Sequence, residues 1–383
     1  MTQTKLKSKI FLLLTSTLLT LSVAELFLRQ FDPQITFADI VPYYDFRCFQ
    51  KGDYYWIDLM PNRRCTLTPR LPAFPPHTVD LNSLGLRNPE ITLPKPQNTN
   101  RILFIGDSFV FGLGVEEEQT FVRQTEVLLN QQLDHPLEAI NAGLPAAGPS
   151  YYYMYLDQEG QKLEPDVVVV GFYLRNDVAE NVLNSQWVEV NAQGLPTKTT
   201  SSIYYVDPTG NLFPAPLPFK YRVPILRSSH LFVLVADRLP PPPGHDPKKF
   251  ISNQICFYKK SCSSLNEAKA KTKILFQGIK HLTDAQGQKL LVVFIPSELQ
   301  FTNKVNFTKT EVPIPLSPQE KDYPHNEFAA FFTQEGIDYL DLREYFAAKD
   351  PLSAYFAQDR HWNESGHQLA AEALSQKLLD YLR

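Results

Sequence analysis

The sequence predicts an α/β fold: a three-layer α/β/α sandwich with a five-stranded parallel sheet. Two observations carry that expectation. Several short runs are apolar throughout rather than alternating, the pattern of strands buried on both faces. Between them lie longer segments with helical spacing, and strands alternating with helices produce a parallel sheet covered on both sides.

The first run is Arg101-Ile102-Leu103-Phe104-Ile105, closing at Gly106 after a polar linker from Gln97 to Asn100. Gln119 to Leu133 places Phe121, Val122, Val127, Leu128 and Leu129 as an amphipathic helix does. Ala139-Ile140 reads as a short strand, Pro149 to Leu163 as a helix and Asp166 to Tyr173 as a second fully apolar strand. Ala268 to Ala285 is helical, Lys289 to Ile295 another buried strand and Asn326 to Gln334 helical. Ile337 to Leu342 is the last strand, and Glu364 to Leu382 a closing helix.

Three stretches stand outside this rhythm. Residues 31–98 are Pro-rich and aromatic without helical period, and read as an N-terminal extension to a catalytic domain at 99–383. Trp187 to Pro243 is rich in Pro and Tyr, with an alternating piece at Ser202 to Val206 and the run Pro240-Pro241-Pro242-Pro243. It is too long for an ordinary connection, so an insertion spanning about 187–262 is expected to form a lid or a substrate wall. Thr302 to Pro318 is a shorter interruption. The 31 Pro, 18 Tyr and 26 Phe fit long irregular loops with aromatic surface better than a helical bundle.

Residues 1–30 carry an export pattern. Lys5, Lys7 and Lys9 precede an apolar run from Ile10 to Ala24, which Leu26-Phe27-Leu28 continues past Glu25. The basic flank stays in the cytoplasm, which puts the catalytic domain on the extracytoplasmic side. The fifteen residues of that run suit a cleavable signal core with Ser22-Val23-Ala24 as its cleavage site. Nineteen, counted through Leu28, approach the ~20 that span a bilayer. The reading adopted is an uncleaved, single-pass anchor in the cell membrane, with a cleaved signal and a buried helix of a soluble protein as the alternatives.

The four cysteines fit an oxidising compartment, where Cys48 with Cys65 and Cys256 with Cys262 are the natural local pairs. No His or Cys spacing has a metal-site pattern, and no metal or organic cofactor is implied. A formal net charge of −4, with Lys and Arg scattered, argues against nucleic acid as a partner.

Active sites of open α/β sheets lie beyond the carboxyl ends of the strands. Gly106-Asp107-Ser108 follows the first apolar run, and Asn141-Ala142-Gly143-Leu144-Pro145-Ala146 follows the second. Arg175-Asn176-Asp177 ends the third, and Asp359-Arg360-His361-Trp362-Asn363 precedes the last helix. One serine, an Asp-His pair, a side-chain amide and a Gly-rich turn make up the inventory for acyl transfer.

These blocks resemble SGNH (GDSL-type) hydrolases. Gly106-Asp107-Ser108, with Gly112 and Gly114 after it, is similar to the family's nucleophile block. Asn176-Asp177 resembles the block that supplies an oxyanion-hole asparagine, and Asp359-x-His361 with Trp362, Asn363 and Gly366 resembles the block that supplies Asp and His. The likeness spans about Asn100 to Arg383, and Asn82-Ser83-Leu84-Gly85-Leu86-Arg87 resembles a lead-in of exported members. It implies the SGNH, flavodoxin-like sandwich and a catalytic triad of Ser108, Asp359 and His361. The implied oxyanion hole is formed by Ser108, Ala146 and Asn176.

The sequence departs from that pattern in three places. Ala146 stands where the family has glycine, and its N–H is expected to serve only if the backbone there avoids φ > 0, with Gly143 or Gly148 as substitutes. Leu174 replaces the glycine of the Gly-x-Asn-Asp block. The Asp-x-His spacing, with Trp next, also resembles polysaccharide O-acetyltransferases of the alginate-modifying type.

Each residue also has a plain structural reading. Ser108 could cap a helix, Asn176 a turn, and Asp359 could be a solvated carboxylate. His367 competes with His361 as the base, although it falls inside the last helix. Asp107 is expected to brace the turn, Arg175 to lie on the surface, and Tyr151-Tyr152-Tyr153 to pack in the core. The expected activity is serine-dependent hydrolysis of acyl esters on an envelope glycan or lipid. The alternatives are an O-acyltransferase and a catalytically silent glycan-binding domain.

Overall fold

The computed structural model describes residues 2–34, 36–37, 47–67, 74–178, 185–201, 204–208, 210–214, 219–238, 255–307, 310–357 and 359–382. Its centre is a sheet of five parallel strands: β1 (Asn100–Gly106), β2 (Leu137–Gly143), β3 (Val167–Phe172), β4 (Lys289–Phe294) and β5 (Asp338–Asp341). The spatial order is β5-β4-β3-β1-β2. β1 is flanked by β2 in the register Gly106 to Gly143 and by β3 in the register Ile105 to Val170. The chain therefore changes winding direction between β1 and β3, and a cleft opens there beyond the carboxyl ends.

The alternation within each strand divides the core in two. Leu103, Ile105, Val168, Val170, Val292 and Phe294 face one side, where they meet α4 (Pro149–Gln158), α6 (Asn266–Ala285) and α7 (Pro318–Glu335). Ile102, Phe104, Val167, Val169, Leu291 and Val293 face the other, against α3 (Phe121–Asn130) and α8 (Glu364–Leu382). This is the three-layer sandwich the apolar runs predict, and burial on both faces explains why those runs do not alternate.

α7 corrects one expectation. It begins at Pro318, eight residues before the predicted Asn326, and carries Pro324 inside. Ser317 caps it in a reciprocal box with Glu320, and Pro318 occupies the first turn, where its missing N–H costs nothing. The predicted helix from Pro149 to Leu163 is also divided, with Gly160–Leu163 tightening into a 3₁₀ turn.

Outside the sandwich the backbone forms two-stranded hairpins. The N-terminal extension pairs Phe49–Gln50 with Asp58–Leu59, and Arg64–Leu67 with His77–Asp80. After β3, Ser185–Val190 pairs with Pro196–Ser201 and Tyr204–Val206 with Leu212–Pro214. The helical turn Phe219–Arg222 and helix α5 (His230–Ala236) follow. Thr302 to Pro318 contains another hairpin, Lys304–Phe307 with Thr310–Pro313. The proline run 240–243 lies outside the described residues. Cys48 is bonded to Cys65 and Cys256 to Cys262. At the N-terminus α1 (Thr2–Phe31) is one continuous helix whose stretch Leu6–Phe31 contains a window of mean hydropathy 2.0 that is not buried by protein.

Candidate active site

β1 ends at Gly106 and the chain turns directly into a four-residue helix, α2 (Ser108–Phe111). Asp107 caps it, with Oδ1 accepting the Phe109 N–H at 2.9 Å. Gly112 ends it in the left-handed region at φ 82, where a side chain would be strained. Ser108 is the first helical residue, so its own N–H has no carbonyl partner within the helix. Its Oγ lies 2.7 Å from His361 Nε2.

His361 Nδ1 is in turn hydrogen-bonded to Asp359 Oδ1, which also accepts the His361 backbone N–H at 3.4 Å. Arg360 between them sits at φ 75, so the one-residue spacing works as a tight turn that folds the carboxylate back onto its neighbour's ring. Burial acts to depress the His361 pKa, but the Asp359 carboxylate outweighs it and holds the imidazole above its ordinary value. Burial likewise acts to raise Asp359, and His361 overcomes it, keeping the carboxylate below its usual range. Trp362 is fully buried, stacked on Phe346 and edge-on to Phe109 and Phe121, and so fixes the loop from behind.

His367, the competing base, is turned away. Its Nδ1 accepts the Phe121 N–H at 3.1 Å, and burial pushes its pKa down to about 3. It is a neutral acceptor at the start of α3. Two histidines six positions apart therefore carry opposite electrostatics, because only one has a carboxylate.

Asn176 ends a short turn after β3, across the winding switch from Ser108. Its Nδ2 approaches Asp107 Oδ2 at 3.3 Å, and its Oδ1 is buried without a protein partner. Burial pushes Asp107 up to about 6, against its bond from Phe109 and the pull of His361. The next residue, Asp177, accepts the Tyr173 N–H at 2.9 Å and the Tyr152 hydroxyl at 3.0 Å. Asp177 and Tyr152 thus hold the turn that carries Asn176. The tyrosine run is core, as expected, although one of its hydroxyls has this further task.

Of the three backbone donors considered after β2, Gly143 is already committed: its N–H donates to Asn141 Oδ1 at 3.0 Å. A Cβ there would lie 2.2 Å from the Phe111 nitrogen, so this glycine serves the close approach of two backbones. Gly148 is the N-cap of α4. Ala146 sits at φ 64, in the region the sequence reading treated as incompatible with a donor. That expectation is corrected on physical grounds: the left-handed conformation costs a non-glycine residue about 1–2 kcal/mol but leaves its N–H in place. Ala146 lines the same cavity as Ser108 and His361.

That cavity, of ≈190 Å³, is walled by Phe49 and Leu67 from the N-terminal extension and by Tyr204 and Leu212 from the insertion. Leu113 and Pro145 complete it. The two walls are joined to each other. Trp56 stacks on Tyr204 with ring centroids 5.8 Å apart, the Phe49 N–H donates to the Gly210 carbonyl at 3.2 Å, and the Thr199 N–H to the Tyr54 carbonyl at 2.8 Å.

Two further outcomes concern arginines. Arg175 is not a surface residue: it pairs with Glu298 at 2.9 Å, and Arg360 reaches the same carboxylate at 3.2 Å. Arg87, in the Asn-Ser-Leu-Gly-Leu-Arg block, is buried. It donates to the carbonyls of Phe111, Gly112 and Val115 at 3.0, 2.7 and 2.7 Å. It holds the chain that leaves α2, a role the sequence signalled by that block without revealing its purpose. Among the described residues, no group of three or more His, Cys, Asp or Glu side chains could hold a metal ion.

A family model described as the SGNH hydrolase-like domain, acetyltransferase AlgX, matches residues 257–381, a stretch that contains Asp359 and His361 but not Ser108. That stretch, about a third of the chain, is similar to an SGNH hydrolase-like domain. Solved structures similar to it include a two-domain esterase active on acetylated mannans, at 12% identity and TM-score 0.38. That match covers 74% of this chain and 50% of the esterase, so this chain spans half the esterase's length. A lipase/acylhydrolase from Enterococcus faecalis matches at 11% identity and TM-score 0.39, covering 74% and 97% of the two chains. An acetyl xylan esterase matches at 14% and 0.39, covering 73% and 99%. No curated protein matches the sequence.

Proposed function

We propose that this SGNH hydrolase-like chain is a membrane-anchored serine esterase that acts outside the cytoplasm on acyl esters of an envelope glycan or lipid. One observation carries the reading: Ser108 Oγ and His361 Nε2 meet at 2.7 Å at the winding switch, with Asp359 behind the imidazole.

In this mechanism His361 Nε2 takes the Ser108 proton as Oγ attacks the ester carbonyl. The carbonyl oxygen becomes an oxyanion facing the N–H groups of Ser108 and Ala146 and the Asn176 amide. Asp359 stabilises the imidazolium, which then gives its proton to the departing alcohol oxygen, leaving an acyl-Ser108 ester. The acyl group enters the apolar cavity beneath Phe49 and Tyr204. Water, deprotonated by His361, attacks the acyl-enzyme to release the acid and restore Ser108.

Transfer to a sugar hydroxyl in place of water is the second reading. The match of residues 257–381 to a domain described as an acetyltransferase favours it. Purified full-length protein given an acetyl ester, with and without an acetyl-free polysaccharide, tests both readings. Acid release independent of the acceptor is expected for the esterase, and acceptor-dependent turnover with acetylated glycan for the transferase. No turnover in either arm would leave the silent glycan-binding domain.

The anchored reading draws on α1, whose apolar run follows Lys5, Lys7 and Lys9 and is largely exposed.

A further inference from the structure

Glu25 is the one carboxylate inside the apolar stretch of α1, and it is fully engaged. It accepts from Ser229 Oγ at 2.8 Å, from the backbone N–H groups of His230 and Leu231 at 3.0 and 2.9 Å, and from Arg29 at 2.8 Å. The chain that follows stays on the same segment: the Gln34 N–H donates to His230 Nδ1 at 2.8 Å and the Phe37 N–H to the Arg227 carbonyl at 2.9 Å. The insertion is therefore fastened to α1 at one level along its axis.

That level follows from helix geometry. Lys9 and Glu25 are sixteen residues apart, about 24 Å at 1.5 Å per residue, against a hydrocarbon core of about 30 Å. With the lysines at the cytoplasmic face, Glu25 and its partners stand near the opposite interface. Ile225 is four residues from Ser229, within about 14 Å of it along the chain.

The segment fastened there shows large apolar side chains to the outside. Ile225 is 91% exposed, Val235 53%, Phe219 47% and Leu226 41%. Leu226, Phe232 and Val235 face Leu21 and Leu26 of α1 across an open groove. The same segment carries Lys220, Arg222, Arg227 and Arg238 against one acidic residue, Asp237, in a chain whose formal net charge is −4; Lys220 pairs with Asp237 at 2.8 Å and Arg227 lies over the Phe37 ring. Exposed apolar side chains interspersed with an excess of cations, next to a membrane helix, fit the headgroup region of an anionic bilayer.

We propose that residues 219–238 are a second membrane-contact element that lies in the interface of the bilayer α1 crosses and seats on anionic phospholipid. This rests on the anchored reading above and is independent of the chemistry at Ser108. Two attachments, one spanning and one lying flat, remove the rotation that a single helix leaves free. They hold the roof of the active site at a fixed height above the lipid.

All four cysteines are in disulfides, so one introduced cysteine is a unique label site. Full-length Leu14→Cys, Ile225→Cys and Gln132→Cys, the last at the sheet's amino edge, are labelled with an environment-sensitive fluorophore. Each is reconstituted into phosphatidylcholine–phosphatidylglycerol vesicles containing doxyl-labelled lipid. The proposal expects quenching at 14 by deep doxyl groups, quenching at 225 by shallow ones and none at 132. Loss of the quenching at 225 is expected in pure phosphatidylcholine. Quenching at 14 with position 225 behaving like 132 would overturn the proposal while leaving the anchor intact. Absence of quenching at both 14 and 225 would overturn the anchor and the proposal together. A blue shift at 225 that grows with protein concentration and not with lipid would overturn it in favour of a second copy of the chain.

Discussion

Ser108, Asn176 and the backbone of Ala146 hang from strands buried on both faces, whereas Phe49, Leu67, Tyr204 and Leu212 hang from two-stranded hairpins that pack on one side only. At the sheet, position comes from neighbouring strands and two apolar layers, and the turns that carry Ser108 and Asn176 are braced by the buried Arg87 and Asp177. In the roof, position comes from Cys48–Cys65, a Trp56–Tyr204 stack and a few backbone bonds between the extension and the insertion. The proposed chemistry therefore sits on the doubly covered sheet, and the cavity walls sit on the hairpins. Substitutions at the edge should change turnover, and substitutions in the roof should change binding and stability.

The largest effect is expected at Ser108. Ser108→Ala should lower turnover by roughly 10⁴ to 10⁶ with the melting temperature unchanged, since the serine acts with its partners as a unit. Labelling by a fluorophosphonate at another serine would break the comparison at its base.

Asp359→Asn comes next, with a loss of about 10⁴ in kcat. The pH profile sharpens it. His361 is held above its ordinary value by Asp359 and must be neutral to act, so kcat/KM should rise with pH through an apparent pKa above 6.5. Removing the carboxylate should move that limb to lower pH. A limb that stays in place in Asp359→Asn would mean that another group controls it.

Asn176 separates a donor from a turn residue. Asn176→Ala should cost about 10²–10³ in kcat with little change in KM, the loss of one oxyanion donor. Asn176→Asp keeps the shape but sets an acceptor where charge develops, and should be at least as damaging. A turn asparagine would accept Asp and report its loss in melting temperature instead.

The roof should respond differently. Cys48→Ser with Cys65→Ser opens a closure of seventeen positions and should cost about 3 kcal/mol of stability, read in denaturant. KM should rise while kcat stays within a few-fold, because Ser108 and His361 touch neither cysteine. A collapse of kcat comparable to Ser108→Ala would show that roof and edge are one unit.

The smallest effect is expected at Ala146. Ala146→Gly relieves a left-handed alanine but frees the unfolded chain, two opposing terms of about 1 kcal/mol each. Stability should shift by less than 1 kcal/mol with kcat kept.

The same contrast explains what the sequence disclosed. Strands such as Val167–Phe172 were legible because burial on two faces leaves only apolar residues, and the Gly-Asp-Ser and Asp-x-His blocks fall where those strands end. The hairpin Ser185–Val190 with Pro196–Ser201 was not, since its exposed edges tolerate Thr, Lys and Glu without a regular alternation. α7 exceeds the expected Asn326–Gln334 because the Ser317–Glu320 box starts the helix before Pro324, which its interior accommodates. The positive φ of Ala146 belongs to a local turn, with Pro145 before it and the Ala147 N–H donating to the Leu144 carbonyl at 3.0 Å, whereas the burial of Arg175 against Glu298 depends on a partner far away in the chain, which local pattern does not encode.

Ser108 and His361 stand 253 positions apart, and all four later strands or their connections lie between them. No fragment ending before Asp359 can form the pair, however well its sheet has begun to assemble. Ser108 precedes its partner in the chain. On the proposed esterase reading the site is complete only once the final layer of the sandwich is in place, so completion of folding is itself the activation step.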